Sequence, residues 1–282
     1  MKKKVVLIGS DDCGYKHFSE LRRSDNFDLV GILCKNKNNY DFGKFKVFND
    51  MSDMFMSVKP DATIITNPTK ELILKCIRYS KNIFSEPLKS ISLSEIREIN
   101  YAVKTNNINF TIGFNLRFNP AILSIIKELK KESDIFSINF INYDKDEYFL
   151  LECIDLLKII SNSEISSFIS DKTYEKNSKI IKNIGCILKM KNGILANLLC
   201  LNSENMTEKI VEITTKNGIF YADLNNLTLT KKSQNGRVNF KVEKDNFAIR
   251  NMHKEFANFC ENPKNNTLSN IDETIKILET IK

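Results

Sequence analysis

Short apolar runs, each closed by a turn and followed by a segment of helical periodicity, recur through the first third of the chain. Val5-Val6-Leu7-Ile8 ends at Gly9, and Phe18 and Leu21 follow at helical spacing within residues 14–23. Asp28–Cys34 and Ala62–Thr66 repeat the apolar pattern, the latter before a predicted helix from Lys70 to about Tyr79. Asn82–Ser85 is a further short strand, Ser92 and Glu95 form a capping box for a helix to about Thr105, and Asn109–Phe114 closes the series. Runs that are apolar at every position suit strands buried on both faces. Strands alternating with amphipathic helices predict a doubly wound parallel sheet.

The pattern changes near residue 118. Pro120 opens a predicted helix to about Lys131, followed by a strand at Phe136–Asn142 and a helix at about Leu150–Ile160. Three Asn-Gly pairs follow: Asn192-Gly193, Asn217-Gly218 and Asn235-Gly236. Asn-Gly between apolar runs signals a hairpin, because both residues accept positive φ. Cys186–Met190 is thus expected to pair with Ile194–Leu201, and Ile210–Thr214 with Ile219–Asp223. Two helices, roughly 247–261 and 270–281, close the chain. The expected division is residues 1–118 as an α/β unit and 119–282 as an α+β unit with a mostly antiparallel sheet.

Composition limits the chemistry. The chain of 282 residues has the length of one large or two ordinary domains and contains only two histidines, His17 and His253. They cannot supply a three-histidine metal centre, and the cysteines form no C-x-x-C pair, so no metal site is expected. The seven cysteines (Cys13, Cys34, Cys76, Cys153, Cys186, Cys200, Cys260) read as buried thiols of a reducing, cytoplasmic compartment. The net charge of +7 is spread along the chain rather than clustered, so neither nucleic acid nor a membrane is an expected partner. The basic start, Met1 to Lys4, precedes an apolar run too short for a signal peptide, and no stretch is long enough to span a bilayer.

After the first strand the chain reads Gly9-Ser10-Asp11-Asp12-Cys13-Gly14, against the G-x-G-x-x-G of a dinucleotide-binding turn. Gly9 takes the tight-turn position and Gly14 the helix-packing position, while Asp11 stands where the backbone would approach a pyrophosphate. Unit charges about 4 Å apart repel by roughly 4 kcal/mol at an effective dielectric near 20. A carboxylate there therefore opposes the ligand unless the side chain swings away. The end of the second strand offers Cys34 and Lys35 and no carboxylate for ribose hydroxyls. Lys35 either meets a 2′-phosphate, favouring NADP over NAD, or is a solvated loop lysine.

Several segments then resemble one family, the glucose–fructose oxidoreductase / inositol dehydrogenase (Gfo/Idh/MocA) family. The glycine turn with Tyr15-Lys16-His17-Phe18 resembles its first helix. Asp61-Ala62-Thr63-Ile64-Ile65-Thr66-Asn67-Pro68 is similar to its "DAVIIATP" segment, and Lys81-Asn82-Ile83-Phe84-Ser85-Glu86-Pro87-Leu88 to "GKHVLVEKPL". Gly113 to Pro120 resembles "GYNLRFHP", Glu152 to Leu157 "HxxDLL", and Leu188 to Asn197 the "LKFxNGAxAN" hairpin. The resemblance implies a Rossmann domain, a sheet-rich second domain, homo-oligomers packed through that second sheet, and NAD(P)-linked oxidation or reduction of a sugar or nucleotide-sugar. It places cofactor contacts at Gly9, Ser10, Asp11, Cys13, Gly14, Lys35, Asn67, Pro68 and Glu86.

The same resemblance exposes departures. Glu86 is followed directly by Pro87, so the lysine of E-K-P, which polarises the reacting hydroxyl or carbonyl, is missing. Glu152 stands where the family keeps its acid/base histidine, and Tyr148 where it keeps an aspartate; Asp155 matches. The segment Asn142–Leu150 is shorter than the family's substrate loop. Glu152 is either a substitute base or an ordinary helix glutamate, and Arg117 either a phosphate or carboxylate ligand or a structural residue. Asp155 is expected to orient its neighbours, and Glu86 to keep the turn geometry. His17 is read as a packing or capping residue and His253 as a surface residue. Two readings follow: an oxidoreductase with weak or lost activity, or a non-catalytic binding, scaffold or regulatory protein derived from one.

Overall fold

A computed structural model describes residues 2–9, 11–34, 40–132, 134–143, 149–176, 181–203, 205–245, 247–264 and 267–280, with Phe149 described by its backbone alone. The chain divides into two compact units, Met1–Phe114 with Ile249–Ile275, and Asn115–Ala248 with Lys276–Lys282. A single cut near residue 118 does not anticipate the return of the C-terminal segment Ile249–Ile275 to the first unit.

The first unit is built on a six-stranded, all-parallel sheet. Its strands are β1 (Lys3–Ile8), β2 (Phe27–Leu33), β3 (Val47–Phe48), β4 (Ala62–Ile65), β5 (Asn82–Ser85) and β6 (Asn109–Ile112), in the order β3-β2-β1-β4-β5-β6. The central strands are buried at almost every position, with Val5, Val6, Leu7, Ala62, Ile64 and Ile65 at 0% exposure. Helices α1 (Asp12–Leu21), α2 (Met51–Val58), α3 (Lys70–Ile77) and α4 (Leu93–Thr105) connect the strands. Each starts at a side chain that satisfies an otherwise orphaned amide: Asp11 accepts from Gly14 N, Asp50 from Asp53 N and Thr69 from Leu72 N, and the Ser92–Glu95 capping box is reciprocal. The strand order reverses direction at β1, between β2 and β4, and such a switch point opens a crevice at the carboxyl ends of the strands.

The second unit pairs an eight-stranded sheet with two helices. Its strands are β7 (Ile135–Asn142), β8 (Ile165–Tyr174), β9 (Ile181–Met190), β10 (Leu195–Leu201), β11 (Lys209–Thr215), β12 (Gly218–Asp223), β13 (Thr228–Ser233) and β14 (Gly236–Phe240). They run in the order β14-β13-β12-β11-β7-β10-β9-β8, antiparallel except for the parallel β7–β10 pair. Helix α5 (Pro120–Leu129), capped by Asn119, packs on β12 and β13, and α6 (Phe149–Ser161) packs on β7 and β10. The hairpins fall at all three Asn-Gly pairs, but only Gly193, Gly218 and Gly236 take positive φ. The asparagines lie in ordinary backbone, so each tight turn is closed by one positive-φ glycine, which begins the return strand at Gly218 and Gly236, rather than by two left-handed residues.

Sequence patterning does not reveal α2 or β8. Strand β8 lies at the sheet edge with most of its side chains exposed, so it has no buried face to impose an alternating pattern. Helices α7 (Ala248–Glu261) and α8 (Ile271–Thr280) complete the chain. In the first unit α7 buries Phe256 against Phe27 and Phe84, each with ring centroids 5.6 Å apart, while Ile112 bridges Ser269 beside β6. Among the described residues no helix is long and apolar enough to cross a membrane. The seven cysteines are thiols, five of them buried.

Candidate functional site

The glycine turn between β1 and α1 is a tight packing joint. A Cβ on Gly9 would lie 1.8 Å from Thr66 Oγ1, and one on Gly14 would lie 3.0 Å from the Gly9 carbonyl group. Both glycines are therefore demanded by the approach of α1 to β1 and β4. Asp11 turns its carboxylate back onto the helix: Oδ1 accepts from the Gly14 amide at 2.8 Å, and Thr66 Oγ1 donates to it at 3.4 Å. The side chain does swing from the path of a ligand, but it takes an amide that a bound phosphate would otherwise use. The strand–turn–helix geometry fits a dinucleotide; the cap on Gly14 works against its pyrophosphate.

Asn67 is exposed beyond β4 and Pro68 is buried behind it. Ser10, Lys35 and Tyr148 lie outside the described residues, so the choice between NAD and NADP that Lys35 suggests has no geometry to support it.

Behind the turn sits a cluster that chain spacing does not reveal. His17 lies on the inner face of α1, with Gly14, Phe18 and Leu21. Its Nδ1 is 2.9 Å from His253 Nε2, and its Nε2 is 3.0 Å from Glu86 Oε1. His17 and His253 are 0% and 2% exposed, so His253 is not the expected surface residue. Burial, then the adjacent His17, holds His253 well below the ordinary histidine range. Among the described residues its Nδ1 has no hydrogen-bond partner. Glu86 is held at the end of β5 by its own amide, which donates to Ile65 O at 2.8 Å. Cys13 completes the group: Cys13, His17 and Glu86 each place one potential ligand atom within 4.8 Å of the others. Burial, then the charges of Glu86 and Asp11, pushes the Cys13 thiol up to about 12, with Lys16 and Lys89 acting in the lesser, opposite sense. Phe84 forms the apolar wall, its ring centroid 5.8 Å from His17. Gly113 makes room for it, since a Cβ there would meet Phe84 Cζ at 2.2 Å.

Sequence reasoning missed this grouping because 236 residues separate the two histidines. A local signal existed on α7, where His253 shares helical spacing with the buried Phe256 and Ala257.

In the second unit the remaining candidates engage one another. Arg117 grips Asp155 through two parallel bonds, Nε to Oδ2 at 2.7 Å and a terminal guanidinium nitrogen to Oδ1 at 2.6 Å. Their side chains are 11% and 4% exposed. Glu152 accepts from the Leu116 amide at 2.9 Å. All three fasten the 3-10 turn Asn115–Phe118 to α6.

A parallel sheet in this order with a glycine turn at its switch point is the architecture of a dinucleotide-binding fold. Residues 3–114 match the sequence model of the Gfo/Idh/MocA family, described as an oxidoreductase family with an NAD-binding Rossmann fold. The matched residues lie within the first unit, whose six-stranded parallel sheet is the fold that model describes. An uncharacterised oxidoreductase of Bacillus subtilis, YrbE, is 28% identical over 130 residues, a match spanning 43% of this chain and 38% of that protein. The dehydrogenase MviM of Clostridium difficile superimposes with a TM-score of 0.85 at 19% identity, covering 99% of this chain and 97% of that one. UDP-N-acetylglucosamine 3-dehydrogenase GnnA of Acidithiobacillus ferrooxidans gives 0.83 at 14% identity, covering 99% and 95%. The two structural likenesses, at such identities, extend the fold to the whole chain.

Proposed function

We propose that the protein is an NAD(P)-linked oxidoreductase of the Gfo/Idh/MocA type for a sugar or nucleotide-sugar, with dehydrogenase turnover weak or lost. The observation that carries this reading is the state of the family's two reactive positions. Pro87 follows Glu86 directly, leaving no lysine there, and Glu152, at the acid/base position, accepts from the Leu116 amide. Gly9, Gly14 and the start of α1 would hold the dinucleotide, whose nicotinamide supplies hydride chemistry when bound. The sugar class is supported by the family resemblance and by the activity named for GnnA. The engagement of Arg117, Asp155 and Glu152 in the internal bonds of one turn also favours the second reading, a binding or regulatory protein that has kept the fold.

Calorimetric titration with NAD(H) and NADP(H), run on the native chain and on Asp11→Gly, tests the proposal. Weak native binding, tightened at least about tenfold in the variant, is expected, a change of about 1.4 kcal/mol. Binding by neither chain overturns the dinucleotide reading. Tight native binding with rapid turnover of any sugar nucleotide overturns the loss of activity.

We also infer that the outer face of the second sheet pairs with a second copy of the chain. That face is open and apolar at Ile169, Ile187 and Leu199, with Asn139, Asn197 and Glu212 bonded in a row across it. It forms a shallow depression of about 790 Å3.

A further inference from the structure

We propose that Cys13, His17 and Glu86 form a three-ligand site for one zinc-class divalent cation, oriented by His253 and leaving a fourth coordination position open. A thiol, an imidazole and a carboxylate form the borderline donor set that zinc takes, and three protein ligands with an open position mark sites that act on a bound oxygen. Zinc bonds of roughly 2.0–2.3 Å arranged tetrahedrally separate their donor atoms by a little over 3 Å. His17 Nε2 and Glu86 Oε1 are 3.0 Å apart, close to that spacing, and all three donors lie within 4.8 Å of one another. Rotation of the partly exposed Cys13 closes the remainder, and the cation enters past it.

The surroundings meet the further demands of such a site. A metal-bound histidine is usually fixed by a hydrogen bond from its second nitrogen. His17 Nδ1 has that partner in His253 Nε2 at 2.9 Å. His253 Nε2 accepts from His17 once the His253 proton sits on Nδ1, the ring nitrogen without a hydrogen-bond partner among the described residues. Without metal, a proton on His17 Nε2 bridges to Glu86 and His253 Nε2–H donates to His17. On loading, both rings change tautomer, the cation takes the place of the proton between His17 and Glu86, and Cys13 releases its thiol proton. Two carboxylates, Glu86 and Asp11, lie near Cys13, and the charge of a divalent cation answers them. Metal binding stands without the dinucleotide reading. One use of the fourth position rests on that reading: a cation there polarises a hydroxyl or carbonyl oxygen, the task of the lysine absent before Pro87.

The test uses the full chain, stripped with a chelator and titrated with Zn2+ against a chromophoric competitor and, separately, with Co2+. Uptake of a single Zn2+ per chain is expected, with a thiolate-to-cobalt charge-transfer band. Cys13→Ser should abolish the band and weaken zinc on the order of 100-fold, and His253→Gln should keep the band while weakening zinc about tenfold. Cys260→Ser should change neither. Circular dichroism checks folding, and protection of Cys13 from alkylation by Zn2+ in the native chain serves as a readout without any substitution. No stoichiometric uptake, a band that survives Cys13→Ser, or equal alkylation with and without zinc overturns the proposal.

Discussion

Arg117 and Asp155 show how a residue drawn from a functional motif can serve as a fastener. Both guanidinium bonds go to one carboxylate, at 2.6 and 2.7 Å, in a setting with little solvent. Removing one member of a buried bidentate pair costs on the order of 3 kcal/mol, because desolvation of the other charge is no longer offset. Arg117→Ala is therefore expected to lower the unfolding free energy of the second unit, read from urea titration, by that amount without changing zinc uptake. Asp11 is the opposite case, a residue whose charge suggests repulsion of a ligand but whose geometry makes it a helix cap. Asp11→Gly should lose only a few tenths of a kcal/mol of stability, since glycine is a tolerated N-cap. The gain in dinucleotide affinity then stands apart from any loss of fold.

At the scale of elements, Glu132 ties the end of α5 to the hairpins beneath it. Its carboxylate accepts from Lys231 Nζ at 2.5 Å, Asn217 Nδ2 at 3.0 Å and Thr215 Oγ1 at 3.2 Å. Burial pushes its pKa upward, but the Lys231 and Asn217 bonds outweigh that and leave it lowered. A lowered folded-state value means the stabilisation is complete above the unfolded carboxylate range near 4.3 and is lost as pH falls through the folded value. Thermal melts of Glu132→Gln between pH 7 and 3 should show a loss of about 1 kcal/mol at neutral pH that disappears at the acid end. An unchanged gap across that range would assign Glu132 a packing role instead. The caps of α1 to α5 and the three glycine turns belong to this scale too, and each is a short-range signal readable from adjacent residues.

For the whole molecule, the proposed pairing of two copies rests on the open face of the second sheet. Ile187 and Ile169 are 58% and 70% exposed in a contiguous apolar area, which is unusual for a surface left to water. Ile187→Lys places a charge, and by two-fold pairing its own copy, in the middle of that face. Analytical ultracentrifugation should show the native chain associated and the variant at least tenfold weaker in dimerisation. A native chain that sediments as a monomer at every concentration would remove the proposal. The central strands of the first sheet, by contrast, are buried at almost every position.

Strand–helix alternation, helix caps and Asn-Gly turns act over a few residues, so the class of both sheets, most elements and the glycine turn were determined by the sequence on its own. So was the absence of a lysine between Glu86 and Pro87. Which candidates act together was not, because it depends on long-range packing. The return of α7 to the first unit sets His253 against His17, and the bend of Asp11 onto Gly14 turns a repelling charge into a cap. Strand β8 escaped for a related reason: its ladder comes from β9 and no buried face marks its sequence. Short-range hydrogen bonding and periodicity are written along the chain. The cluster of Cys13, His17, Glu86 and His253 exists only once folding has closed the distance between segments far apart in it.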